Sequence, residues 1–325
     1  MTDELLQPTA ENAAPVAEPE MVSGPVQVDK PAAEQETASA ASAEKPVVEQ
    51  ETASGPVPTE KPAVATPAAI ELRGLAIGYD RRVVLDNLNL RIEPGQIVCI
   101  LGGSGCGKST LLKHIIGLYK PIRGDILING RSIVNADEAE KRSIMSEFGV
   151  AYQGGALFRS LNLAENIALP MEELTNWSRD EIRKRVAEKL SLVHLDGYES
   201  YMPSRLSGGM VKRAAFARAL ALDPKLLFFD EPSAGLDPLS ADMLDNVILE
   251  IREKTNATIV IITHELPSIF RVSDRVIILS KEKKGVMDDG NPTYLRDHSV
   301  NEYVRSFLSR GGTYRSNDGG PGAAP

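Results

Sequence analysis

Cysteine is almost missing from this chain: 325 residues hold two, Cys99 and Cys106, too few for a disulfide framework or a cysteine-based zinc site. That usage fits a reducing cytoplasm. Long apolar runs are missing as well. The longest are strand-sized, well short of the ~20 residues that cross a bilayer as a helix. The opening MTDELLQPTAENAAP carries neither the basic nor the apolar stretch of an export signal. The expectation is a chain that is neither exported nor membrane-spanning. Basic charge is not in excess either. Residues 1–69 contain 12 acidic residues and 3 lysines, which accounts for the whole formal charge of −9, and the remainder carries 33 residues of each sign. A neutral body with an acidic arm lacks the footprint of a nucleic-acid binder, so no nucleic-acid partner is expected.

The arm has a deficiency of its own. Residues 1–69 are mostly Ala, Pro, Glu, Val and Thr with no aromatic residue, so burial cannot offset the entropy of ordering them and they read as disordered. KPAAEQETAS at 30–39 returns as KPVVEQETAS at 45–54, and EKPAV follows from Glu60. Such duplication reads as a spacer.

What is present is an apolar content of 42%, enough for the core of one large domain or two small ones. From Ile70 short strands begin: IELRGLAIGY, then LNLRI with Leu88, Leu90 and Ile92 alternating, then GDILING with a turn at Asn129-Gly130. These predict a small antiparallel layer. IVCIL (97–101), LLFFD (226–230), TIVIIT (258–263) and RVIILS (275–280) show no polar alternation, as strands of a helix-flanked parallel sheet would. Residues 157–222 carry helical spacing, with a capping box from Ser178 and Glu181 and Ile182, Val186, Leu190 and Val193 on one face. VNEYVRSFL, 300–308, predicts a short helix, and the Gly-rich last dozen residues read as loose.

The chemistry starts at GGSGCGKST. Gly102, Gly107, Lys108 and Ser109 fit G-x-x-x-x-G-K-[ST], between a strand and the helix TLLKHIIGL. Glycines let backbone N–H groups curl around phosphate, Lys108 reaches the β/γ oxygens, and the Ser109 hydroxyl ligates Mg²⁺. In LLFFDEP, Asp230 ends a buried strand where it can hold Mg²⁺, and Glu231 can orient or deprotonate an attacking water. His264 follows TIVIIT at the same edge, where a ring hydrogen bond to a γ-phosphate would sense hydrolysis. Gln153 can reach Mg²⁺ or the water, or it can be simple loop polarity. In RLSGGMVKRAAFARA, Ser207 is a natural helix cap and Gly208 and Gly209 allow close approach to an oxygen, with Met210, Ala214, Ala217 and Ala221 as the stripe behind them. This second clamp has no lysine. It can act on a triphosphate held by another molecule. Cys106 lies inside the first loop, so bound nucleotide is expected to cover its thiol.

GGSGCGKST, Gln153, LSGGM, LLFFDEP, SAGLD and His264 together resemble the ATP-binding-cassette ATPases, from Ile70 to about Gly290. The resemblance implies an α/β P-loop NTPase with a RecA-like parallel core, an antiparallel β layer and a helical subdomain. It implies ATP and Mg²⁺ as cofactors, with Tyr79 stacked on adenine and residues Gly102, Gly103, Ser104, Gly105, Cys106, Gly107, Lys108, Ser109 and Thr110 around the phosphates. Glu231 would be the catalytic carboxylate, His264 the switch, and Gln153 the link to a partner. Ser207, Gly208 and Gly209 would contact ATP held by the other protomer of a homodimer, with Asp237 along the seam. The family's five-residue motif usually ends in Gln, and position 210 is Met. LSGGM, the RAAFARALAL after it, and YQGGALF at 152–158 are similar to the ATPase subunits of Mla-type phospholipid transporters. That subfamily implies an integral membrane permease, an Mce-type lipid-binding protein and a place on the cytoplasmic face of the inner membrane. Another importer or exporter is the runner-up. A DNA-repair ATPase would need a coiled coil or zinc module between the glycine motifs, and a translation-factor ATPase a second cassette; neither is found. The expected division is 1–69 tail, 70–292 nucleotide-binding domain with the helical part at about 157–222, and 293–325 extension.

Overall fold

The structure is a computed structural model that describes residues 67–79 and 82–309. The expectation of a loose end falls on residues 310–325, outside the described residues, and so does that of a disordered arm for residues 1–66. Of the last three residues of the expected arm over 1–69, Ala68 and Ala69 are buried, and the Asn129 N–H donates to the Ala69 carbonyl at 3.1 Å.

The first half of the described chain runs β1 (Ile70–Tyr79), β2 (Arg82–Ile92), β3 (Ile97–Gly102), α1 (Lys108–Ile115), β4 (Arg123–Ile128), β5 (Arg131–Ser132), α2 (Glu138–Met145), β6 (Phe148–Ala151), α3 (Leu163–Leu174) and α4 (Arg179–Leu192). It continues with α5 (Gly208–Ala219), β7 (Leu226–Asp230), α6 (Pro238–Thr255), β8 (Thr258–Ile262), α7 (Leu266–Val272), β9 (Arg275–Ser280), β10 (Gly285–Gly290), α8 (Pro292–His298) and α9 (Glu302–Ser309). The antiparallel layer has the order β2-β1-β4-β5, with Ile70 opposite both Ile92 and Ile128. The second sheet has the order β10-β9-β3-β8-β7-β6, in which β9, β3, β8, β7 and β6 run parallel and β10 returns antiparallel to β9.

Successive side chains of a strand point to opposite faces, and here both faces are covered. Ile97, Cys99, Leu101, Leu227, Phe229, Ile259 and Ile261 join a core with α3 to α6. Val98, Ile100, Leu226, Phe228, Val260 and Ile262 join a second core with the antiparallel layer and α1. A strand buried twice has no solvent side, which is why its apolar run is unbroken. This is the α/β P-loop NTPase fold with its antiparallel layer and helical portion.

Helix α5 lies directly on β6: a Cβ at Gly149 would sit 1.9 Å from the Ala219 carbonyl oxygen. Phe216 of α5 stacks on Phe229 of β7 with ring centroids 3.9 Å apart. The capping box expected at Ser178 and Glu181 forms only by half. Ser178 accepts from the Glu181 N–H, but the Glu181 carboxylate is taken by Arg185 at 2.7 Å, a charged donor that outcompetes a neutral amide. The full box stands instead at Asn162 and Glu165, at the start of α3. Ile182, Val186, Leu190 and Val193 are buried as their spacing requires. Among the described residues no helix is long and apolar enough to cross a membrane.

Asp245 of α6 is 3% exposed. Burial pushes its carboxyl from the usual 3.8 up to about 6, against hydrogen bonding from Ser268 and the charge of Arg271. The folded state therefore binds a proton that the unfolded chain has already released, and stability falls as pH rises from about 4 to about 6. Asp245→Asn is expected to remove that slope and leave the variant more stable than the parent at pH 7, by about 3 kcal/mol at most. Denaturant titrations at pH 4.5 and 7 check this; a slope that survives the substitution would assign it to other groups.

Candidate functional site

The site gathers at the C-terminal edge of the parallel strands, where open α/β sheets bind ligands. At the end of β3 the chain turns through Gly102, Gly105 and Gly107, with φ of 146°, 73° and 108°. A Cβ at Gly102 would lie 2.5 Å from Cys106 Sγ and 2.6 Å from the Leu279 carbonyl oxygen, so only glycine allows the turn. Gly103, Ser104 and Gly105 are exposed, and α1 begins at Lys108 with Ser109 exposed and Thr110 half-buried. Its N-cap is Gly107, which offers no side chain to the first-turn N–H groups. They remain available to an anion, as does the positive end of the helix. Lys108 Nζ donates to the Gly102 carbonyl at 2.8 Å, which holds the ammonium over the loop.

Tyr79, 38% exposed, ends β1 beside this helix, and its hydroxyl donates to Thr110 Oγ1 at 3.3 Å. Tyr119 meets it edge-on at 5.4 Å. The exposed ring offers a face on which a base can stack.

Asp230 closes β7, and its Oδ1 is buried without a hydrogen-bond partner. Burial first, then the neighbouring Glu231 charge, push the Asp230 carboxyl up; Lys113, Lys108 and Lys212 oppose them. Glu231 sits in the left-handed region at φ 48°, with its N–H donating to the Ile262 carbonyl at 2.8 Å. Its carboxylate is within reach of His264, whose Nδ1 lies 3.0 Å from Glu231 Oε1. Gln153 is exposed just beyond β6. The phosphate loop, Asp230, Glu231, His264 and Gln153 thus follow the ends of neighbouring strands β3, β7, β8 and β6.

The second glycine motif stands apart. Ser207 caps α5, accepting from the Met210 N–H at 3.3 Å, and Ser207 and Gly208 are exposed. Its neighbour is the turn before α6: a Cβ at Gly208 would meet Leu236 at 3.4 Å. Asp237 caps α6 through Ser240, which holds its carboxyl below the usual range. Among the described residues no hydrogen bond joins Ser207, Gly208 or Gly209 to the loop at 102–110.

Cys106 differs from expectation. Its backbone N–H donates to the Gly103 carbonyl at 3.2 Å, and its thiol is 2% exposed in the core beneath the antiparallel layer. The fold itself covers it. Burial also pushes the Cys99 thiol up to about 12. A disulfide reagent is therefore expected to titrate neither thiol in the native protein and both in denaturant, with nucleotide adding little; fast native labelling of Cys106 would mean that the loop opens.

Lys212 and Arg218 of α5 belong to no motif legible in the sequence. Lys212, 8% exposed, donates to the Gln153 carbonyl and, at 3.3 Å, to the Glu231 carbonyl; burial pushes its ammonium down. Arg218 donates to the Ala156 carbonyl at 2.7 Å and the Gly155 carbonyl at 3.2 Å. The one available signal was that both cations share a helix with so many small apolar residues.

A glycine loop capping β3, a lysine folded over it and an Asp-Glu pair at the end of β7, one strand removed across β8, define a P-loop ATPase. A profile of the ABC transporter family matches residues 85–234. The chain is 43% identical to the probable ribonucleotide transport ATP-binding protein mkl of Mycobacterium leprae (strain TN), over 74% of this chain and 69% of that one. It is 40% identical to the intermembrane phospholipid transport system ATP-binding protein MlaF of Haemophilus influenzae (strain ATCC 51907 / DSM 11121 / KW20 / Rd), over 66% of this chain and 81% of that one. A dimeric ATP-binding cassette solved in a post-hydrolysis state with ADP and Pi superimposes with a TM-score of 0.62 at 30% identity, covering 68% of this chain and 98% of that one. The chain belongs to the ABC transporter family as its ATPase subunit, and it binds and hydrolyses ATP.

Proposed function

We propose that this ATPase powers phospholipid transport between membranes. It would work as a homodimer docked on an integral membrane permease at the cytoplasmic face of the inner membrane, with an Mce-type lipid-binding protein as further partner. The observation that carries the lipid reading is the pair LSGGM and YQGGALF, supported by the likeness to a phospholipid transport ATPase. Residues 70–292 would form the nucleotide-binding domain, with the helical part at about 157–222 and an extension from 293. An apolar groove of about 190 Å³ beside β6, bounded by Met145, Phe148, Pro170 and Leu174, suits a permease segment.

In this reading Tyr79 stacks on adenine. The Gly102–Thr110 loop cradles the phosphates, with Lys108 on the β/γ oxygens. Hard cations take oxygen ligands, and the orphaned Asp230 Oδ1 and exposed Ser109 hydroxyl fit that requirement. Ser109, Asp230 and Gln153 would hold Mg²⁺, whose charge would offset that of the β- and γ-phosphates. Glu231 orients and deprotonates the attacking water, and His264, already against its carboxylate, senses the γ-phosphate. Ser207, Gly208 and Gly209 close over ATP on the facing subunit, with Asp237 at the seam, and hydrolysis lets the subunits part.

Purification of the untagged native complex, followed by mass spectrometry of its proteins and lipids, tests the reading. A multi-spanning permease, an Mce-type protein and phospholipid are expected. Recovery of a ribonucleotide-, sugar- or metal-binding protein would replace the cargo and leave the ATPase.

A further inference from the structure

The contacts of α5 converge on two stretches of main chain. Lys212 reaches the carbonyls of Gln153 and Glu231, and Arg218 reaches those of Gly155 and Ala156. Packing fixes the same segment, since a Cβ at Gly155 would lie 2.8 Å from Val211 Cγ1. Phe216, one turn from Lys212, stacks on Phe229, next to Asp230. The left-handed turn at Glu231 is costly for a side chain, and the ammonium holds its carbonyl. A buried ammonium is also an inefficient way to stabilise a core, because an apolar side chain of similar volume avoids the desolvation. Its value lies in geometry.

We infer that Lys212 is a positioning residue for ATP hydrolysis, tying the main chain at Gln153 to that at Glu231 from the helix that begins at Ser207. The inference rests on the proposed role of Glu231. One ammonium with three donors sets the spacing between the residue after β6 and the carboxylate after β7. Since Lys212 lies within the second turn of α5, a shift of the Ser207–Gly209 end is passed to both at once. The lysine touches no substrate and acts through the two carbonyls.

The test uses the full chain purified with its membrane subunits. Lys212→Met keeps the volume and removes the donors. Its melting temperature is expected to stay within a few degrees of the parent and its KM for ATP within about threefold, while kcat falls by about tenfold or more, the scale of a lost charged hydrogen bond. In Lys212→Ala, ethylammonium is expected to restore part of kcat and ethanol none, a readout that stands even if the Met variant does not fold. A kcat within twofold of the parent in Lys212→Met, with Glu231→Gln inactive, overturns the role of Lys212 and leaves that of Glu231. A turnover loss that only follows a loss of folding, with no ammonium rescue, also overturns it. Normal turnover in Glu231→Gln overturns both.

Discussion

Glu231→Gln is expected to bind ATP as the parent does and to lose turnover by ~10²-fold or more, the usual consequence of removing a catalytic base. The amide keeps the shape of the side chain, and the left-handed turn is set by the main chain, through the Glu231 N–H to Ile262 and its carbonyl to Lys212. Affinity should survive because Lys108, the Gly102–Thr110 loop and Asp230 remain. The proton acceptor disappears, and His264 loses its negatively charged neighbour at 3.0 Å. With hydrolysis stopped, the ATP-loaded dimer should accumulate. Equilibrium binding of a fluorescent nucleotide, single-turnover hydrolysis and sizing of the ATP-loaded protein check this. Near-normal hydrolysis would move the role to another group.

The second large effect depends on connectivity. Two copies are fused in tandem, with Lys108→Ala destroying one phosphate loop and Ser207→Glu setting a charge against the γ-phosphate. If the glycine pair serves the neighbour's ATP, defects on separate halves fall in one composite site and the other stays whole, whereas both defects on one half damage both sites. The separated arrangement is therefore expected to hydrolyse ATP at least as fast as the paired one. The exposure of Ser207 and Gly208 and the lack of hydrogen bonds from that motif to the loop at 102–110 among the described residues support this expectation. Clear activity in the paired fusion with none in the separated one would refute binding across the dimer.

Much of the fold is legible in the sequence because its signals are local or periodic. β3, β7, β8 and β9 announce themselves by unbroken apolar runs, and buried Val304 and Leu308 mark α9 one turn apart. β10 does not: GVMDDG has neither an unbroken apolar run nor apolar alternation. Asp289 is neutralised by Arg275 of the neighbouring strand, at 2.6 and 2.5 Å, and Asp288 accepts from the Ser299 hydroxyl. The first partner comes from strand pairing with β9 and the second from the end of α8, and neither lies in the stretch itself. The capping box at Ser178 forms only by half for a local reason, since Arg185, four residues on in the same helix, competes for Glu181.

By itself the sequence determined the local devices. Gly102, Gly105 and Gly107 impose a loop that only glycine can follow, Ser207 and Asp237 cap their helices within three residues, and the doubly apolar strands require a covered sheet. Each depends on backbone sterics or short-range hydrogen bonds and is complete within a few positions. The tertiary structure alone decided which ends meet. It put β3 beside β8 and β7 beside β6, set His264 against Glu231, turned the Cys106 thiol into the core, and placed the Lys212 ammonium on a carbonyl 59 residues away. A buried ammonium takes whatever acceptors the packing presents to it, and that choice is made by the order of strands and not by its neighbours in the chain.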